Sequence, residues 1–240
     1  MRWTWFDIHW SWIGLAVSAV MLILLFGTDL FRSNLSQSRW RDSVWLAWLA
    51  PVSYAAHEFE EYGIDALGHH FAFPDLFCAS LGMPPYPACS VPEAFFLAVN
   101  IPAIWGAGLV CALLARRHPL VGLGVYGIHF TNSLAHLGSW IVAGYNPGAL
   151  TAALIQLPLS LWVAFACFGP GKLHRGGILA IVLSGTVFTV VLMASAQMFA
   201  RGLLPGTALV VIQILNPLLI VLGPWLFERW ESRHVSVRPT

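Results

Sequence analysis

The chain has 240 residues, of which 58% are hydrophobic and 10% are charged, and its formal net charge is +1. A soluble domain carries about 25% charged residues, so this chain has too little polar surface to coat a water-soluble globule, and it is too apolar to be disordered. The low net charge argues against a nucleic-acid partner, and four cysteines without CxxC spacing exclude a Cys-rich module. The composition therefore predicts an integral membrane protein, whose partner is the lipid bilayer.

Seven apolar stretches are long enough to cross a membrane, because a hydrocarbon core of about 30 Å requires roughly 20 apolar residues of helix. In chain order they cover residues 9–31, 43–67, 93–115, 119–143, 149–168, 176–200 and 206–227. The apolar runs are continuous rather than alternating, which favours helices over barrel strands. The sequence predicts an all-α, polytopic transmembrane helix bundle that forms a single domain over residues 1–240.

Basic residues are distributed unevenly between the two ends of the predicted spans. Of the 12 Lys and Arg residues, only Arg2 and Arg201 fall on the side where the first span begins. The others follow the first, third, fifth and seventh spans. Because cytoplasmic loops are enriched in Lys and Arg, the pattern predicts an N-out, C-in topology in the plasma (inner) membrane.

The longest connection, residues 68–92, is predicted to lie on the outer side. It contains five prolines, which favour a loop over a helix. Cys78 and Cys89 lie in the same connection. They are either a disulfide across a short loop or two free thiols, and the sequence leaves both open.

The second predicted span carries ionisable side chains, which are costly within a bilayer. Glu60 and Glu61 follow His57 by three and four residues, so the three share one helical face, and Tyr54 extends it. Because ionisable side chains are costly within a bilayer, their presence on one face of this span needs a structural or functional explanation.

The fourth predicted span carries a second polar stripe, because His129, Asn132 and His136 are separated by three and four residues. Both spans rise from the same side of the membrane. His57 then lies about 21 Å above the inner end, and His136 about 26 Å above it. The shared depth predicts one polar cavity in the outer half of the bilayer.

Imidazole and carboxylate groups at helical spacing suit Zn or Fe. The candidate metal ligands are His57, Glu61, His129 and His136; the candidate catalytic residues are Glu60, Glu61, Asn132 and Tyr54. His129 and His136 are about 10 Å apart along the helix axis, so they cannot easily hold one ion together. In this interpretation the glutamate that does not bind the metal is the general base.

The same stripes allow other functions. Acid–base catalysis by the carboxylates and imidazoles needs no metal. A proton-coupled transporter or a membrane binding protein would also place ionisable groups in spans. A buried hydrogen-bond network that only ties the two helices together is the structural interpretation. We favour a hydrolase-like enzyme, metal-assisted or acid–base, that acts on a small or lipid-like substrate; the oligomeric state stays open.

Three motifs occur in order along the chain. They are HxxEE at residues 57–61, NxxxH at 132–136 and YxPGxxTA at 145–152. Together they resemble the HXXEE-domain family of bacterial integral membrane proteins, over about residues 50–162. The resemblance implies a polytopic membrane protein and supports the choice of site residues, but it implies no particular reaction. The predicted C-terminal helices, about 176–227, lie outside it.

Overall fold

The computed structural model describes residues 3–235, which form helices and turns without a β-strand. The all-α prediction is thereby confirmed for the described residues. The helices are α1 Trp5–Gly27, α2 Ser43–Tyr62, α3 Phe73–Ser80, α4 Ala94–Leu114, α5 Pro119–Gly122, α6 Val125–Ala143, α7 Ala149–Cys167, α8 Gly176–Ala200, α9 Gly206–Leu215 and α10 Leu218–Val235.

Five segments of the described chain are long and apolar enough to cross a membrane: α1, α4, α7, α8 and Gly206–His234, which comprises α9 and most of α10. Helices α2 and α6 are not among them, because their polar stripes lower their mean hydropathy. Apolar side chains such as Ile141 and Ile23 are 86% and 71% exposed. Apolar exposure on this scale is typical of a surface that faces lipid.

The connection at residues 68–92 contains a helix, so the prediction of an irregular loop was wrong for part of it. Helix α3 covers Phe73–Ser80, with Pro74 in its first turn. A proline is tolerated there because the first backbone N–H groups of a helix have no partner within the helix. Cys78 and Cys89 form a disulfide, which ties the end of α3 to the chain that leads into α4.

Helix α2 occupies the centre of the bundle, packed against α1, α4, α5, α6 and the start of α7. The side chain of Asp42 caps its N-terminus by accepting the backbone N–H groups of Val44 and Trp45. Two apolar clusters pack along its length. The larger contains Trp45 and Tyr54, and the second contains Tyr62. The candidate site residues of α2, from Tyr54 to Glu61, lie where the two clusters adjoin.

Helices α4 and α7 each contain a π-helical segment, at Ile101–Gly108 and Ala152–Gln156. A π turn carries more than four residues and therefore changes the direction of the side chains beside it. Asn100 directly precedes the first segment, and Gln156 ends the second. Both amides are buried near the polar residues of α2 and α6.

Helices α6 and α8 touch backbone to backbone at a pair of glycines. A Cβ atom on Gly185 would lie 2.3 Å from the carbonyl carbon of Gly127, so neither position has room for a side chain. One turn further along, the hydroxyls of Thr131 and Thr189 are 3.1 Å apart. The glycine contact fixes where the two helices cross.

Candidate functional site

Three of the four candidate metal ligands come together between α2 and α6. One nitrogen from each of His57 and His136 and one carboxylate oxygen of Glu61 lie within 4.8 Å of one another. Oε1 of Glu61 is 3.5 Å from Nε2 of His57 and 3.3 Å from Nε2 of His136. All three side chains are buried. We call these residues the His/Glu cluster.

The spacing within the His/Glu cluster is that of ligands around an ion. A charge-assisted N–H···O hydrogen bond is normally about 2.7–2.9 Å long, so contacts of 3.3 and 3.5 Å are long for direct pairing. Bonds of about 2.0–2.1 Å to a tetrahedral zinc place neighbouring ligand atoms about 3.3–3.4 Å apart. The two contacts of Glu61 therefore match the spacing of ligand atoms around an ion, and the three ligand atoms together lie within 4.8 Å of one another.

Hydrogen bonds on the far side of each imidazole determine its tautomer. Nδ1 of His57 is 3.1 Å from the carbonyl oxygen of Gly148, and Nδ1 of His136 is 2.6 Å from Oδ1 of Asn146. Both oxygens accept, so each Nδ1 carries a proton and each Nε2 faces Glu61. An oxygen acceptor behind the imidazole is the usual arrangement of a metal-binding histidine.

The loop between α6 and α7 closes over the His/Glu cluster at Gly148. Its φ of +92° is in the left-handed region, which glycine adopts without strain. A Cβ atom at this position would lie 2.5 Å from Cε1 of His57 and 2.8 Å from Cε1 of His136. Only glycine therefore allows the carbonyl of this loop to reach His57.

Glu60 has different partners from Glu61, although the two are adjacent. Its carboxylate accepts hydrogen bonds from the Tyr145 hydroxyl at 2.8 Å, from the N–H groups of Leu150 and Thr151 at 3.1 and 2.7 Å, and from the Thr151 hydroxyl. A carboxylate at the start of α7 also stabilises the helix dipole. Glu60 holds the loop in place and does not line the cavity beside Glu61.

Tyr145 remains a neutral donor to Glu60. Partial burial raises the pKa of the Tyr145 hydroxyl above its ordinary value. The hydrogen bond to Glu60 and the charge of Glu60 also raise this pKa, whereas the hydrogen bond from the Ala66 N–H lowers it. The Tyr145–Glu60 hydrogen bond therefore persists through the neutral pH range.

Asn132 contacts the His/Glu cluster from α6. Its Nδ2 atom is 2.7 Å from Nε2 of His57 and 3.3 Å from Oε1 of Gln156. The first hydrogen bond uses the lone pair that a metal would take, so an ion at this cluster would displace the amide. Asn132 is thus a direct neighbour of the His/Glu cluster.

The other two predicted site residues lie beside the His/Glu cluster. Nε2 of His129 is 3.1 Å from the Ser53 hydroxyl, and its Nδ1 is 3.1 Å from the carbonyl of Val125. Both nitrogens are engaged, so the structure does not bring His129 to the other candidate ligands. The Tyr54 ring lies between His57 and His129, with centroids 5.3 and 5.1 Å away.

A cavity of about 280 Å³ adjoins the His/Glu cluster and is lined by Tyr54, Glu61, Asn132 and His136 together with apolar side chains from five helices. The residues that hold the cluster from behind, Asn146, Gly148 and Thr151, were not predicted as site residues. They belong to the YxPGxxTA motif, where Asn-Pro-Gly is most simply a tight turn. The motif itself was the signal for their role.

Asn146→Ala is expected to weaken metal binding by about 10–100-fold, because it removes the acceptor that orients His136. The measurement is a titration of metal-stripped protein against a chelator of known affinity. Asn216→Ala is the matched control: this buried amide bonds to the carbonyl of Phe188, outside the cluster. Equal affinities in the two variants would show that Asn146 does not support a metal ligand.

Fold and site together define a helical protein with candidate membrane-spanning helices and a buried His/Glu cluster that could hold a metal. Residues 48–163 match the model of the family described as "Protein of unknown function with HXXEE motif". The match covers slightly less than half of the chain and confirms the resemblance drawn from the motifs. Comparisons with curated proteins and with solved structures find no significant match.

Proposed function

We propose that the protein is a membrane-embedded, metal-dependent enzyme in which His57, Glu61 and His136 bind one Zn or Fe ion. The observation that carries the proposal is the paired orientation of the two imidazoles, whose Nε2 atoms face the same carboxylate oxygen at 3.5 and 3.3 Å. A set of two histidines and one carboxylate leaves coordination positions for water and substrate, in zinc hydrolases and in non-haem iron enzymes.

The ion would supply Lewis acidity and lower the pKa of a bound water, which supports hydrolase-like chemistry on a small or lipid-like substrate. The chain would orient the substrate. Asn132 and Tyr54 line the same cavity as Glu61, where they can donate hydrogen bonds to a polar substrate group. Glu60 accepts from donors on the loop, which favours a positioning role over that of general base.

We further propose seven membrane spans in an N-out, C-in topology in the plasma membrane, with α2 and α6 as spans shielded by their neighbours. Shielding is the condition under which polar helices cross a bilayer. Nη2 of Arg116 donates to the carbonyl of Arg32 at 2.8 Å, which supports one basic end of the bundle. The Cys78–Cys89 disulfide, in the connection predicted to be outside, supports an oxidising compartment on that side.

Elemental analysis of the purified protein tests the metal. The expected result is about one Zn or Fe per chain, with a loss of the ion when His136 is replaced by alanine. Reloading the stripped protein with Zn or with Fe(II), and comparing which ion restores thermal stability, would identify the metal. Protein without bound metal that also gains no stability from either ion would contradict the proposal.

A proton-coupled transporter is the competing function, and it requires a polar path toward the inner side. Among the described residues, the His129 imidazole hydrogen-bonds to the Ser53 hydroxyl and to the carbonyl of Val125. Further toward the start of α2, Leu46 and Leu49 belong to the larger apolar cluster. This arrangement favours an enzyme, and substrate uptake into vesicles without chemical conversion would favour the transporter instead.

A further inference from the structure

We infer that the substrate is a neutral lipid with a single apolar chain, and that it reaches the His/Glu cluster sideways from the bilayer, through an opening between α6, α8 and α3. The inference rests on the proposed function for the reaction, but the binding of such a lipid depends only on the cavity. Its basis is the division of the cavity into a polar end, apolar walls and a lipid-facing opening.

The polar end and the apolar walls of the cavity are contiguous. Glu61, His136 and Asn132 form the polar end, together with Asn100, whose amide donates to the Tyr62 hydroxyl at 3.1 Å. The walls away from this end are mostly apolar, with Ser80, Ser139 and Thr189 as the polar lining residues, and they come from α3, α4, α6 and α8. Representative wall residues are Phe77, Phe95, Ile104, Ile128, Phe188 and Leu192. A molecule that fills both parts has a polar group at one end and a hydrocarbon chain at the other.

The opening of the cavity lies on the lipid-facing surface. Its rim, which we call the cavity mouth, consists of five exposed lining residues: Leu76, Ser80, Ala135, Ser139 and Met193. The exposed side chains next to it on α6 and α8 are apolar, for example Leu134 at 51% and Val190 at 58%. The cavity mouth therefore faces hydrocarbon.

The crossing of α6 and α8 explains why the cavity opens where it does. The glycine contact of Gly127 with Gly185 and the hydroxyl pair of Thr131 with Thr189 close the space between the helices on one side. Ala135 and Ser139 come one and two turns after Thr131, and their short side chains leave the gap that Met193 borders. Met193 is about 10 Å from the C-terminal end of α8, the depth of one leaflet's acyl chains.

The lining residues also define the polar group. Within the described part of the chain, no Lys or Arg lines the cavity, and Glu61 is its one carboxylate. A phosphate headgroup would therefore find no cationic side chain beside it, and it would have to compete with the Glu61 carboxylate for an ion at the His/Glu cluster. A volume of about 280 Å³ holds roughly nine groups of the size of a water molecule, which suits one chain and not two.

Photolabelling tests this inference with a defined probe, a dodecanol analogue that carries a diazirine in its chain, applied to the purified protein in nanodiscs. The label is expected on peptides of α6 and α8, and unlabelled dodecanol is expected to compete. Dodecyl phosphate and a two-chain phospholipid are expected to compete at least about tenfold less well. Equal competition by dodecyl phosphate would overturn the neutral headgroup, and equal competition by the phospholipid would overturn the single chain.

Two matched variants locate the path. Met193→Trp narrows the cavity mouth and is expected to reduce labelling at least about tenfold, whereas Met198→Trp, on an exposed position of the same helix outside the cavity, leaves it unchanged. Ala135→Leu narrows the mouth from α6 and provides a second measurement if the tryptophan variant does not fold. Labelling that is equal in all three variants and in the wild type would overturn the lateral path.

Metal analysis of the same samples separates the two proposals. Met193→Trp is expected to retain its metal, because Met193 is not one of the three proposed ligands. Specific, competed labelling in a protein that binds no metal would leave the lipid site standing and contradict the metal-dependent enzyme. A bound metal without competed labelling would contradict the lipid site and leave the metal-dependent enzyme standing.

Discussion

Glu61→Gln is expected to abolish metal binding and to leave the protein folded. The substitution preserves shape but replaces the anionic oxygen that lies between the Nε2 atoms of His57 and His136 with a neutral amide. Loss of one ligand of three is expected to lower the affinity by more than the 10–100-fold typical of a residue behind a ligand. Thermal unfolding of metal-stripped protein, with and without added metal, measures this loss of affinity. A metal at 100 times its Kd stabilises the folded wild type by about 2.7 kcal/mol, and the variant is expected to gain no stability from the metal.

The two other glutamates of α2 are controls for this prediction. Glu58 is buried on a different face, where Oε2 accepts the Trp105 indole N–H at 3.3 Å, so Glu58→Gln is expected to bind metal like the wild type. Glu60→Gln is expected to retain its metal. It is expected to lower the free energy of unfolding by about 1–3 kcal/mol, because the amide replaces a charged carboxylate that accepts several hydrogen bonds. Metal bound equally by all three variants would contradict the assignment of Glu61.

Gly148→Ala is expected to have the second-largest effect, at least about a tenfold loss of metal affinity together with lower stability. Alanine in the left-handed region costs about 1–2 kcal/mol. The larger consequence is steric, since the new methyl group would lie 2.5 Å from His57 and 2.8 Å from His136. The imidazoles would have to move apart, and a shift of that size breaks the ligand geometry. A chelator titration measures the affinity, and thermal unfolding measures the stability.

Gly144→Ala separates backbone strain from steric conflict. Gly144 lies in the same loop with a φ of +88°, but a Cβ atom there would have no neighbour within 4 Å. This variant is expected to lose stability and to keep its metal affinity. If it lost the metal as Gly148→Ala does, the strain of the loop, and not the contact with the imidazoles, would be the cause.

Helical periodicity predicted the central part of the site. His57 and Glu61 are one turn apart on α2, and His136 belongs to the polar stripe of α6, so the patterns indicated which residues could meet. Periodicity could not show that His129 has different hydrogen-bond partners from His57 and His136, because an angular position on a helix does not specify a partner. The structure provides that partner in Ser53, which is polar but common in apolar helices.

The distinct roles of Glu60 and Glu61 could not be predicted from their spacing. Both lie within one turn of His57, and only the position of the loop at Gly148–Thr151 decides which carboxylate is saturated. That position depends on contacts between residues about 90 apart in the chain. The helix at Phe73–Ser80 was missed for a local reason, because prolines near a helix N-terminus and prolines in a loop look alike in the sequence.

The glycine crossing of α6 and α8 has a consequence for how the chain could diversify. All members of the His/Glu cluster and of the loop behind it belong to residues 48–163, whereas Phe188, Leu192 and Met193 come from α8, outside that segment. The proposed metal ligands and one wall of the cavity thus come from separate stretches of the polypeptide. Exchanging α8 while retaining Gly185 would preserve its contact with Gly127 and change the apolar wall of the cavity. A chimaera of this kind could acquire a new preference for chain length without any change to the His/Glu cluster.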